Sequence, residues 1–136
     1  MGAEKLYETK IKRYLESIGV YPFGTAKQNI TTPINGYWEK RFGGSQFTKS
    51  GLPDMHIVIH GVSIELEIKA PNGKPSLLQL KNLDLINKGG CYGYITVETR
   101  DRANKLQNWI SENYPQYSHI EVIDFEELKN IFKCFL

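Results

Sequence analysis

The chain has 136 residues, with hydrophobic residues at 40%, charged residues at 24% and a net charge of +2. That length suits one domain with a real core, the balance disfavours a disordered tail and a fibrous repeat, and the net charge is too small by itself to announce nucleic acid. No apolar run reaches the roughly 18 residues of a membrane span, and the charged start from Met1 to Lys5 lacks a signal-peptide core, so the expectation is a soluble intracellular protein.

Residues 4–18 place Leu6, Ile11, Tyr14, Leu15 and Ile18 near one helical face, with Lys and Glu opposite and Gly19 as the stop. From Val20 to Ser50 the periodicity dissolves into prolines, glycines and interleaved aromatics, which predicts a long insertion or flap at about 20–50 with one extended segment at 36–42. Two strands follow, Met55–His60 and Val62–Lys69, joined at Gly61. In the second, Ile64, Leu66 and Ile68 point one way and Glu65, Glu67 and Lys69 the other.

Pro75-Ser76 opens a helix running to about Lys88, and Gly89-Gly90 closes it. Then come a strand at 92–97, a helix at 101–113, a short strand at 120–123 and a closing helix at 125–135. This order predicts an α/β fold, a mixed sheet flanked by helices, in a single domain spanning 1–136. Cys91 and Cys134 form no CxxC pair and read as free, buried thiols of a reducing compartment.

Charge is distributed unevenly. Lys69 to Lys88 holds four lysines and one acid, a local +3, whereas His119 to Leu136 holds four acids and two lysines, a local −2.

The stretch that carries chemistry is Gly51-Leu52-Pro53-Asp54, twelve intervening residues, then Glu67-Ile68-Lys69. The hairpin returns Asp54 beside the end of the second strand, where Glu67 and Lys69 share a face about 6.6 Å apart. Two carboxylates converging outside strand ends suit a hard divalent cation with oxygen ligands. A neighbouring lysine can hold an attacking water or neutralise charge on a phosphate. Taken singly, Asp54 is an ordinary cap after proline, and Glu67 with Lys69 is an ordinary surface pair. Three such charges beside Ile57, Ile59, Ile64 and Leu66 in central strands point to a site. Glu65 shares their face as a further ligand or a salt-bridge partner. His56 and His60 lie about 13 Å apart along a strand, too far to share zinc.

These residues resemble the PD-(D/E)XK nuclease signature, and Gly73-Lys74-Pro75-Ser76-Leu77-Leu78-Gln79 resembles the VRR-NUC branch of that superfamily, in its small stand-alone phage and prophage form. The likeness covers about Glu4 to Val97. It implies a restriction-endonuclease-like fold and a Mg²⁺- or Mn²⁺-dependent DNA endonuclease acting on branched, junction or double-stranded DNA, as a homodimer in the host cytoplasm. It implies that Asp54, Glu67 and the Ile68 carbonyl ligate the metal, that Lys69 positions the water, and that Gln79 orients Lys69 or a phosphate. A first-helix glutamate would complete the shell, Glu8 being favoured over Glu4.

Residues 36–50 mix aromatics, glycines and bases, a composition that serves nucleic-acid contact and flap packing equally. Lys40, Arg41 and Lys49 are the first DNA-contact candidates, and Lys74 and Lys81 the next. The alternatives are a nuclease-fold module that binds DNA without cutting, and a protein-interaction domain using the aromatic insertion.

Overall fold

The computed structural model describes residues 2–24, 33–42 and 51–136. Its elements are α1 (Ala3–Ser17), β1 (Val20–Pro22), β2 (Gly36–Lys40), β3 (Met55–Ile59), β4 (Val62–Ile68), α2 (Leu77–Lys88), β5 (Tyr92–Thr96), α3 (Arg100–Asn113), β6 (Val122–Ile123) and α4 (Phe125–Cys134). A 3-10 turn at Pro115–Tyr117 precedes β6. Among the described residues this is an α/β architecture, six strands in one mixed sheet flanked by four helices, with the strands in the spatial order of the chain.

The β2–β3 and β3–β4 pairs are antiparallel, and β1–β2, β4–β5 and β5–β6 are parallel. The β3–β4 hairpin turns through His60 and Gly61, at φ 46° and 82°. Positive φ at both central positions is what a type I′ turn requires, and its twist matches the flanking strands. His60 therefore belongs to the turn and not to β3.

Period-2 alternation splits the sheet into two differently covered faces. Ile57, Ile59, Ile64, Leu66 and Ile68 meet Tyr7, Ile11 and Leu15 of α1 and Leu128 and Phe132 of α4. On the opposite face Ile95 and Val97 meet Leu80 and Leu83 of α2 and Ala103, Leu106 and Ile110 of α3. Burying a Leu or Ile side chain contributes about 1.5–3 kcal/mol, so these two layers hold the sheet between its helices. Glu65 and Glu67 point to the α2–α3 face, on the strand that lies between the covered β5 and the half-exposed β3.

Sequence and structure differ at identifiable places. The insertion at 20–50 contains β1 as well as the anticipated β2, and β6 is two residues where four were expected. The two thiols are free, but Cys134 is exposed and Cys91 half-buried, so neither fills the core. Among the described residues no helix is long and apolar enough to cross a membrane.

Candidate active site

Asp54 stands immediately before β3, and three hydrogen bonds fix the turn that carries it. The Arg41 backbone N–H donates to Asp54 O at 2.7 Å, the Arg41 guanidinium to Pro53 O at 3.1 Å, and Asn82 Nδ2 of α2 to Gly51 O at 2.9 Å. Gly51 takes φ 75°, and a Cβ there would lie 2.6 Å from Leu78 Cγ, so only glycine fits between turn and helix. Where the β3–β4 ladder ends, the Asp54 side chain continues it: Oδ2 accepts from the Ile68 N–H at 2.8 Å.

That bond brings Asp54 beside the end of β4. Glu67 is 3% exposed there, and its Oε2 is buried without a hydrogen-bond partner. Burial first and the Asp54 charge second push the Glu67 carboxyl up to about 8, against the opposing pull of Lys69. Lys69 Nζ lies 3.5 Å from Glu67 Oε1 and donates to Gln79 Oε1 at 3.0 Å. The same Gln79 oxygen accepts from the Ser76 N–H at 2.9 Å, and Ser76 Oγ accepts from the Gln79 N–H at 3.1 Å. Ser76-x-x-Gln79 is thus a capping box that starts α2 and fixes the oxygen holding the Lys69 ammonium. Asp54, Glu67, Lys69 and Gln79 are brought together, with Ile68, the last residue of β4, between Glu67 and Lys69.

These residues fit a hard divalent cation. An orphaned buried carboxylate oxygen costs free energy unless a cation or donor reaches it, and two neighbouring carboxylates repel until one is neutralised. Magnesium is commonly held by one or two carboxylates together with water and substrate phosphate, so Asp54, Glu67 and a carbonyl are a sufficient protein contribution. Among the described residues no group of three or more His, Cys, Asp or Glu is placed to hold a metal.

Glu8 accordingly does not join that pair. It is buried on α1, against the other face of the sheet, where Lys40 donates to it and Lys12 and Lys5 approach at 2.9 and 3.5 Å. Burial raises the Glu8 carboxyl, but the hydrogen bonds from Lys40 and Lys12 outweigh it and bring the group down to about 2. A carboxyl depressed in the fold contributes stability that is complete above its unfolded value near 4.5 and is lost as pH falls through about 2. Glu8→Gln is therefore expected to cost a few kcal/mol at neutral pH and to flatten the acid limb of stability between about pH 4.5 and 2, measured by urea unfolding across that window. An unchanged acid limb would remove Glu8 from the account.

The candidate DNA contacts divide. Lys40 is 17% exposed at its side chain and paired to Glu8. Arg41 is bidentate on Glu65, at 2.6 and 3.0 Å, and His56 Nδ1 meets the same carboxylate at 2.7 Å. Both cations face inward, Lys40 onto Glu8 and Arg41 onto Glu65, so Glu65 serves as the salt-bridge partner of Arg41. Lys49 lies outside the described residues. Lys74 and Lys81 are exposed, Lys74 with its ammonium 5.7 Å from the Trp109 ring centroid. Sequence reasoning missed Asn82 and the clamping role of Arg41, because each acts on a backbone carbonyl that no local pattern announces.

Comparison with family models, with curated proteins and with solved structures finds no match to this chain.

Proposed function

We propose that the protein is a metal-dependent DNA endonuclease of the PD-(D/E)XK kind, with a restriction-endonuclease-like fold and Mg²⁺ or Mn²⁺ as cofactor. The observation that carries this reading is the pair of neighbouring carboxyl groups, Asp54 and the buried Glu67, beside Lys69 at the shared end of β3 and β4.

When bound, a divalent cation supplies positive charge to the scissile phosphate and lowers the pKa of water. Asp54 and Glu67, with the Ile68 carbonyl, would hold that cation. Lys69, kept in place by Gln79, holds the attacking water and balances charge as the phosphate becomes more negative. Hydrolysis leaves a 5′-phosphate and a 3′-hydroxyl. Structure-selective cutting of branched or double-stranded DNA is the substrate class that belongs to this proposal. A homodimer presenting two sites, acting in the cytoplasm, belongs to the same proposal.

The test is incubation with supercoiled plasmid and with a four-way junction, in Mg²⁺, Mn²⁺ or EDTA, beside Asp54→Ala and Lys69→Ala. Cutting is expected only with metal and is expected to fall by roughly 10²-fold or more in each variant. Wild-type protein that binds either DNA yet cuts neither under any metal would replace this reading by a non-cleaving binding module.

A further inference from the structure

Next to the Lys69 side chain a groove of about 240 Å³ opens between the loop after β4 and the exposed side of α3, with Asn72, Gly73, Lys74, Arg102, Lys105 and Trp109 in its walls. We infer that this groove is a subsite for one nucleotide of a single-stranded DNA flank, its phosphate held by Lys74, Arg102 and Lys105 and its base laid on Trp109. The inference rests on the nuclease reading for its direction, since it names the kind of DNA that reading would select.

Four observations carry it. The groove adjoins the site through Gly73, in its wall, which lies so near the Lys69 side chain that a Cβ placed there would stand 3.4 Å from Lys69 Cδ. A strand passing Lys69 on the Gly73 side would reach Lys74 next. Its charge suits a phosphate, with three cations against one acid, Asp101, which pairs Lys105 at 3.2 Å. The walls are built to hold shape, because Arg102 Nη1 donates to Asn72 Oδ1 at 2.7 Å and so ties α3 to the loop.

The aromatic surface is the fourth. Trp109 is half-buried, braced edge-on by Tyr114 at 5.7 Å and 70°, with the Lys74 ammonium over its ring. A base stacked there exchanges a cation for a π-face and leaves Lys74 free for the adjoining phosphate. The volume lies below the roughly 300–1,000 Å³ of pockets for drug-sized ligands, which suits one nucleotide and not a whole dinucleotide cofactor. A paired base cannot enter without leaving its stack, so the groove selects an unpaired flank over a continuous duplex.

The probe is a fluorescein-labelled oligothymidylate of about 12 nucleotides, and its duplex, titrated in EDTA so that nothing is cut. Single-stranded probe is expected to quench tryptophan emission in wild type and not in Trp109→Phe. Trp109→Ala is expected to weaken it about 5- to 100-fold, and Lys74→Glu with Lys105→Glu by at least about 10-fold, with a shallower salt dependence. The two lysines are exposed, so their variants retain the fold even if Trp109→Ala does not. Binding unchanged in the lysine variant, quenching absent in wild type, or duplex bound as tightly as single strand would each overturn the subsite. The two readings fail separately. Groove variants that lose the oligonucleotide in a protein that never cuts plasmid leave the subsite and sink the nuclease. Groove variants that bind and cut as wild type do the reverse.

Discussion

Glu67→Gln is expected to abolish metal-dependent cleavage and, in the same protein, to raise the melting temperature in metal-free buffer above about pH 8. The carboxyl is held up to about 8 from an unfolded value near 4.5. Below 4.5 it is protonated in both states. As pH rises from there, the unfolded chain ionises while the fold keeps its proton, so stability falls, and the loss is complete above about 8. An acid raised this far loses several kcal/mol on that path, and glutamine does not titrate. Thermal unfolding from pH 5 to 9, with and without Mg²⁺, reads both halves. Wild type is expected to be rescued by Mg²⁺ at high pH, and Glu67→Gln to need no rescue and gain none. A variant less stable than wild type at pH 9 would show that Glu67 serves only as the partner of Lys69.

Arg41→Ala is expected to be the most destabilising single charge removal, at about 3 kcal/mol and roughly 10 °C in melting temperature. The guanidinium satisfies both oxygens of Glu65, which is 7% exposed, and the carbonyl of Pro53. Removing it strands a buried carboxylate with His56 alone and releases the turn ahead of Asp54. Arg41→Lys is expected to recover part of the loss, since an ammonium cannot take a fork of two oxygens in one plane. A surface arginine that contacts only DNA would give the opposite pattern: unchanged urea midpoints with weakened binding.

The residues show why some of this was legible in the chain and some was not. The helices and the β3–β4 hairpin declare themselves because each buries one periodic face, and the hairpin places Asp54, Glu67 and Lys69 without any tertiary information. Ser76 and Gln79 also announce a helix start, and capping alone explains that spacing before any role toward Lys69 is added. β1 could not be read, since three residues ending in Pro22 carry no alternation and the strand exists only by pairing with β2. Lys40 and Arg41 looked like free cations for the same reason. Their acids, Glu8 and Glu65, lie 32 and 24 positions away in the chain, and only the packing of α1 and β4 brings them near. Glu8 was misplaced accordingly, its lysines being scattered over α1 and β2.

The sheet ends in β1, three residues closing on a proline, and in β6, only two residues long. Each offers a neighbouring chain few backbone rungs, and Pro22 has no N–H to give. Among the described residues, then, neither margin is a template for strand addition. Fusing the sheets of two copies through β1 or β6 would therefore gain few hydrogen bonds, and contacts through helices or loops bury more.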